Sequence, residues 1–142
     1  MVDIKYPVIF AAAACLLLAA CSGMSLRSSD LPGERIEKAA SDLASGRTDF
    51  YRLTQKGDSG PGSFYILDSE GVVLWHPSPV IMGNDFSKYD FVKRILQLKN
   101  GCIAYGSGKG GSYVFFKEIE KGSILCLAVD RNDYPSQSFD CY

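Results

Sequence analysis

The spacing of the hydrophobic positions along this chain changes from a helical to a strand-like period. From residue 34 to 45, apolar side chains recur every three to four positions, which predicts an amphipathic helix; they are Ile36, Ala39, Ala40, Leu43 and Ala44. Residues 47–56 are ambiguous and give either a short second helix or a continuation beyond a kink. After the break GDSGPG at 57–62, short apolar runs replace the helical stripe.

Those runs predict five strands, each bounded by turn residues. They span 63–68, 72–76, 102–106, 112–119 and 123–130. A turn containing Gly71 joins the first two strands into a hairpin, and the last three strands form a meander. The order of the elements therefore predicts an α+β domain with one antiparallel five-stranded sheet.

Between the second and third strands lie a loop and a further helix. Pro77 and Pro79 end the second strand, and the loop carries the apolar residues Ile81, Met82 and Phe86, so we expect it to fold over the sheet. Ser87 and Asp90 resemble a capping box, and the helical stripe that follows ends near Asn100-Gly101.

The N-terminal residues predict export. Residues 8–20 are apolar but too few to span a bilayer, which takes about 20 residues, and they are typical of a secretion leader. Leu18-Ala19-Ala20-Cys21 resembles the lipobox of bacterial lipoproteins, in which the cysteine receives lipid. We therefore expect a signal peptide over 1–20 and a lipidated, Ser-rich tether over 21–33; the alternative is an ordinary secretion signal.

Composition and cysteine usage remove several classes of function. A net charge of −1, from 15 basic and 16 acidic residues, provides no electrostatic footprint for nucleic acid. After export and lipidation, Cys102, Cys126 and Cys141 remain, without a C-x-x-C motif or paired His/Cys spacing. The sequence therefore predicts no metal site, no cofactor and no thiol redox centre.

The turns of the meander predict the register of its strands. A pairing of 106 with 113, and of 117 with 126, places Cys102, Lys117 and Cys126 in one row across three strands. Cys102 and Cys126 would then lie roughly 9.6 Å apart, beyond disulfide reach. Cys141 belongs to the polar residues 131–142, which we expect to form a loosely attached tail; it either reaches one of the other cysteines or stays free.

Five side chains are candidates for binding a ligand. Trp75 and His76 end the second strand, where alternation places them on opposite faces unless Pro77 breaks the pattern. Lys117 interrupts an apolar face that also carries Tyr113, and a small carboxylate would satisfy its charge if it is buried; the alternative is an ammonium that reaches water. Tyr105 lies on the opposite face, paired with Val114. The sequence contains no second histidine and no nucleophile motif, so we expect no enzymatic activity.

Several motifs follow one another in a fixed order, namely FYILDSEGVVLWHPSP, Gly83, a helix, GCIAYGSG and SYVFFKEI. This ordered set resembles the small Cache domains, which are extracytoplasmic relatives of PAS domains. The resemblance covers residues 34–130 and implies the sheet order 2-1-5-4-3. It also implies binding of a small metabolite, an organic acid or amino acid, in the cell envelope, with sensing through a partner protein. The alternative is a structural or protein-interaction lipoprotein that uses the PAS-like scaffold without a ligand.

Overall fold

The structure of the chain, a computed structural model, describes residues 30–107, 110–135 and 137–142. Two predictions, the signal peptide over 1–20 and the lipid acceptor Cys21, lie outside these ranges. The helices and strands are α1 (Pro32–Ala44), α2 (Phe50–Lys56), β1 (Ser63–Leu67), β2 (Val73–Trp75), α3 (Asp90–Leu98), β3 (Asn100–Tyr105), β4 (Ser112–Glu118) and β5 (Ile124–Asp130). The ambiguous segment therefore contains a separate second helix. Among the described residues the longest helix, α1, has 13 residues, and no helix is fit to cross a membrane.

The five strands form one antiparallel sheet in the order β2-β1-β5-β4-β3, which confirms the predicted order and fold class. β5 lies at the centre, bonded to β1 on one side and to β4 on the other. Residues 124–127 are buried without interruption. A central strand covered on both faces needs a continuous apolar run rather than alternation, and ILCLAV provides it.

Both faces of the sheet are covered. α1 and α2 pack on one face, here called the back face, around a core that includes Phe64, Ile66 and Leu127. α3 and residues 77–89, here called the cover segment, lie over the other, the front face. The pleat of β1 explains the division, because Phe64 and Ile66 point to the back while Tyr65 and Leu67 point to the front.

The ends of the helices follow local chemistry, with one correction. The Asp49 side chain accepts a hydrogen bond from the Arg52 amide at 2.7 Å and caps α2. The predicted capping box at Ser87 is wrong, because α3 begins at Asp90 after Tyr89, which provides no side-chain cap. The Ser87 amide instead donates to the Asp85 carboxylate at 2.8 Å, so the polar residues before α3 form a turn of their own.

The predicted register of the meander is wrong by two residues in one hairpin and by one in the other. Cys102 pairs with Phe115, not with Lys117, because the β3–β4 loop closes at Tyr105 and Ser112; Val114 pairs with Ile103, not with Tyr105. Lys117 pairs with Leu125 rather than Cys126, since the tight β4–β5 turn closes with the Ile119 amide bonded to the Ser123 carbonyl. The one-residue difference moves Cys126 to the front face, away from Lys117.

Residues 131–135 and 137–142 are firmly attached, so the expectation of a loose tail over 131–142 is wrong. Tyr134 is 2% exposed, and the Phe139 ring contacts Tyr113, Phe115 and Tyr134 at centroid distances of 5.1–5.8 Å. Cys141 forms a disulfide with Cys102, with their Cα atoms 4.9 Å apart. Few apolar residues anchor this segment, but each occupies a fixed place in the back-face core.

The two outer strands of the sheet are bonded to other parts of the chain. On β2, the Val73 amide donates to the Asn84 carbonyl at 3.0 Å, and the Gly83 amide donates to the Val73 carbonyl at 2.7 Å. On β3, the Tyr142 amide donates to Cys102 O at 3.1 Å, and the Ala104 amide donates to Tyr142 O at 3.0 Å. The cover segment and residue 142 thus occupy backbone groups that an outer strand otherwise exposes.

A buried arginine joins α1, the loop before β1 and the tail. Arg35 is 4% exposed, and its guanidinium donates to both carboxylate oxygens of Asp58 at 2.5 and 2.7 Å. It also donates to the Pro61 carbonyl and lies 3.2 Å from the Tyr134 hydroxyl. Burial alone would raise the pKa of Asp58, but the hydrogen bonds and charge of Arg35 outweigh it, and the net pKa is lowered.

Candidate functional site

The structure divides the five predicted ligand-binding residues between the two faces of the sheet. Trp75, Tyr113 and Lys117 lie on the back face, whereas His76 and Tyr105 lie on the front face. The expected separation of Trp75 from His76, and of Tyr105 from Lys117, is therefore present in the fold. Ligand binding by any of the five stays a prediction.

On the front face, His76 lies beside a third polar side chain, Tyr65, with the two ring centroids 5.9 Å apart. Tyr105 lies on β3, the outer strand on the other side of the sheet from β2. Tyr105 stacks on Phe91 of α3 with ring centroids 4.8 Å apart. The sequence interpretation missed Tyr65; the indication available was a hydroxyl-bearing residue in the middle of a strand that is otherwise apolar.

Beside Tyr65 in the front-face core lies a second polar group, the thiol of Cys126. The two residues are partners in the β1–β5 ladder, and the Cys126 thiol lies 3.9 Å from the Ile124 carbonyl. Burial raises the pKa of Tyr65 well above its usual value, and burial likewise raises the pKa of Cys126. Both groups are thus neutral at pH 7, as a buried pair without a counter-charge must be.

The His76 ring is held in one orientation at the end of β2. Its Nδ1 accepts a hydrogen bond from the Ser78 amide at 2.9 Å, which places the hydrogen of the neutral ring on Nε2. Burial lowers the pKa of His76, and the hydrogen bond that Nδ1 accepts is available only to the neutral ring. At pH 7 the side chain therefore presents an uncharged Nε2–H donor.

The cover segment lies against this cluster. Ile81 and Phe86 pack against the front-face core, which confirms that the loop folds over the sheet. Met82 is 37% exposed and Val80 84% exposed, so the loop also presents apolar side chains to solvent. The Phe86 amide donates to the Gly71 carbonyl at 2.9 Å and fixes the far end of the loop.

Beneath α3, the front face is filled by apolar side chains. Val92, Ile95 and Val114 are 0% exposed, and Ile103 and Phe116 are each 2% exposed. A guest molecule next to Tyr65 therefore needs the cover segment to move. The β3 edge of this face is more open, since Tyr105 is 37% exposed.

On the back face, an open groove of about 340 Å³ lies between α1, the start of α2 and the β4–β5 turn. We call it the α1–β4 groove. Its apolar lining includes Ala40, Leu43, Phe50 and Ile119, and its polar lining includes Glu37, Lys117, Glu118 and Glu120. Lys117 Nζ contacts both carboxylate oxygens of Glu37, at 2.8 and 2.9 Å, so the lysine reaches the surface with a partner from α1.

The other two predicted residues of the back face are packing residues in this structure. Trp75 lies 6.3 Å from the Phe50 ring, centroid to centroid. Tyr113 contacts Phe139 edge to face, and the Arg131 guanidinium lies 5.1 Å from the centre of its ring. Within the described ranges, no group of three or more His, Cys, Asp or Glu side chains is placed to hold a metal ion.

The comparisons with known proteins agree with this architecture. The EAL-domain protein YkuI of Bacillus subtilis, solved with c-di-GMP and calcium, superposes with a TM-score of 0.57 at 15% identity, over 75% of this chain and 32% of that one. The fold is PAS/Cache-like. No family model and no curated protein sequence matches the chain.

Two further solved structures are similar at lower TM-scores. The ligand-binding domain of Mlp24 with asparagine has a TM-score of 0.41 at 21% identity, over 51% of this chain and 29% of that one. A methyl-accepting chemotaxis protein from Vibrio parahaemolyticus has a TM-score of 0.43 at 14% identity, over 74% and 76% of the two chains. The chain thus spans about a third of the length of the Mlp24 and YkuI chains.

Proposed function

We propose that this chain is a lipid-anchored module of the cell envelope that binds a small organic acid or amino acid and reports it through a partner protein. The supporting observation is the His76 ring, held by Ser78 with an uncharged Nε2–H available beside the cover segment of a PAS/Cache-like sheet. The Cache resemblance of the sequence motifs adds the class of ligand. The proposed role is binding, not catalysis.

In this proposal the ligand lies across the front face, and its oxygen atoms accept hydrogen bonds from His76 Nε2 on the β2 side and from the Tyr105 hydroxyl on the β3 side. The site thus attracts the ligand by hydrogen bonding and not by net charge. The cover segment must shift from the filled front face as the ligand enters. That shift would carry binding to a partner, because the exposed Val80 and Met82 lie on the same segment.

Calorimetric titration with a panel of small carboxylates and amino acids tests the proposal, using the full chain in lipid nanodiscs. Tyr105→Phe removes only the hydroxyl and should weaken binding about tenfold or more, since a hydrogen bond to a charged group contributes roughly 1.5–3 kcal/mol. Tyr89→Phe is the matched control, because Tyr89 is also exposed and also contacts Phe91. Equal effects of the two substitutions, or no saturable heat across the panel, would exclude this site.

The lipid anchor is tested separately. Cells that express the full chain are fed an alkyne-labelled fatty acid, and the protein is examined for the label. Cys21→Ala should abolish labelling, whereas Cys15→Ala, the control within the same leader, should retain it. Label on the Cys21→Ala protein would refute the lipobox interpretation.

A ligand-free structural or protein-interaction role is the second candidate, and the filled front face favours it. Val92, Ile95 and Val114 leave no exposed surface beneath α3. The same titration separates the candidates, because an interaction module gives no saturable response to the panel and no change on Tyr105→Phe. Hydrogen exchange of the cover segment provides a second criterion: ligands should alter its protection only if the sensing proposal holds.

A further inference from the structure

The α1–β4 groove on the back face has the properties of a binding site separate from the one proposed above. Its volume of about 340 Å³ falls at the lower end of the roughly 300–1,000 Å³ of ligand pockets. Ala40, Leu43, Phe50 and Ile119 give it an apolar floor, and charged side chains stand only at its rim. A small amphipathic molecule fits this division of apolar and charged surface.

The rim carries an excess of negative charge. Three glutamates and one lysine line the groove. Glu37 pairs with Lys117, and Glu118 pairs with Lys99 at 2.8 Å. Glu120 is exposed, and within the described part of the chain its carboxylate has no ion-pair partner. The remaining charge at the groove is therefore that of Glu120, and it attracts a cation.

A carboxylate ligand fits this rim poorly. To reach Lys117 it would have to displace Glu37, and it would then lie in a groove that Glu118 and Glu120 also line. A cation meets no such conflict, since it can approach Glu120 directly and share Glu37 with Lys117. The Lys117–Glu37 pair is an easily opened contact, because the side chains are 34% and 60% exposed.

The apolar floor indicates what the rest of the ligand is. Phe50 lines the groove, and its ring is tilted against Trp75. An aromatic ring attracts a nearby cation through its electron-rich face and also packs against apolar groups. We propose that the α1–β4 groove binds a small amphipathic amine, with its ammonium at Glu120 and Glu37 and its apolar part against Phe50, Leu43 and Ile119.

A matched pair of probes tests the sign of the charge. 2-Phenylethylamine and 3-phenylpropionate have similar size and an aromatic ring but opposite charge. We expect saturable binding of the amine to the full chain in zwitterionic nanodiscs, with empty nanodiscs subtracted, and weaker binding of the acid. Trp75, the only tryptophan of the chain, contacts Phe50 and provides a fluorescence signal for occupancy of the groove. Tighter binding of the acid, or no saturable signal from the amine, would overturn the proposal.

Three substitutions then place the amine in the groove. Glu120→Gln should weaken amine binding about twofold to fivefold, the range of an exposed ion pair, whereas Glu70→Gln, in the exposed turn between β1 and β2, should have no effect. Lys117→Gln should tighten it by a similar factor because Glu37 loses its competing partner. Weaker amine binding by Lys117→Gln, or equal affinities of the Glu120 and Glu70 variants, would refute the assignment. Tyr105→Phe should leave amine affinity unchanged, so this test and that of the front face succeed or fail separately.

Discussion

The disulfide between Cys102 and Cys141 should contribute a large part of the stability of the fold. It closes a loop across 39 positions of the chain. The variant that tests it replaces both cysteines with alanine, so that no free thiol remains at either position. The other attachments of the tail, the rings around Phe139 and the backbone bonds of Tyr142, are still available to the variant. We therefore expect its native structure to be unchanged.

The magnitude follows from the unfolded state. A crosslink removes conformational freedom from the unfolded chain in proportion to the logarithm of the loop length, and for a loop of this size the stabilisation is about 4 kcal/mol at 25 °C. Small domains unfold with a free energy of about 5–15 kcal/mol. The double variant should thus remain folded but lose a substantial fraction of its stability. It should also show a steeper dependence on urea, because its unfolded state is less compact.

Urea denaturation followed by the fluorescence of Trp75 measures both quantities. Reduced wild-type protein should match the double variant, and reductant should have no effect on the variant itself. A loss of less than about 1 kcal/mol would contradict the reasoning, since it would mean that the unfolded chain is restricted without the crosslink. Altered circular dichroism of the folded variant would show instead that the bond shapes the native tail.

Three further predictions concern buried groups. Arg35→Met should destabilise the protein by about 2–3 kcal/mol in urea denaturation, less than the 3–5 kcal/mol of a fully buried pair because the Asp58 side chain is 37% exposed; no measurable loss would contradict this. The folded pKa of Asp58 is lowered, so the ionised carboxylate stabilises the fold fully above about pH 4, and this stabilisation is lost as the pH falls below that value. Asp58→Asn should flatten the curve of unfolding free energy against pH in this range. Cys126, with its pKa raised by burial, should resist alkylation at pH 8 until urea unfolds the chain; rapid labelling of native protein would show that the front face opens.

The succession of helices and strands could be predicted from the sequence because period, turn residues and strand length all agree. The order of the strands in the sheet followed from the resemblance to Cache domains. Register depends on finer details. The β4–β5 turn places Lys121 at a φ of 62°, in the left-handed region. The residues EKG do not indicate how many residues of this turn remain unpaired between the two strands. The resulting shift by one residue exchanged the face of Cys126.

The contacts of the candidate residues could not be predicted from the sequence, for a related reason. Alternation along a strand correctly separated Trp75 from His76, but it cannot show which partner a long side chain reaches. Lys117 meets Glu37 of α1, which lies 80 positions away in sequence, and Tyr65 meets Cys126 through a pairing of β1 with β5. The tail was misjudged because its average polarity conceals Tyr134, Phe139 and Cys141, whose individual contacts determine its position.

The bonding of β2 to Gly83 and Asn84, and of β3 to Tyr142, has a consequence for the behaviour of the protein at high concentration. When two molecules meet edge to edge, those backbone groups are already hydrogen-bonded within each molecule. They are therefore not free to pair with a strand of the neighbour and begin a fibril. Loss of residue 142 would expose the Cys102 carbonyl and the Ala104 amide. A shortened chain should then be the form that deposits first in storage or overexpression.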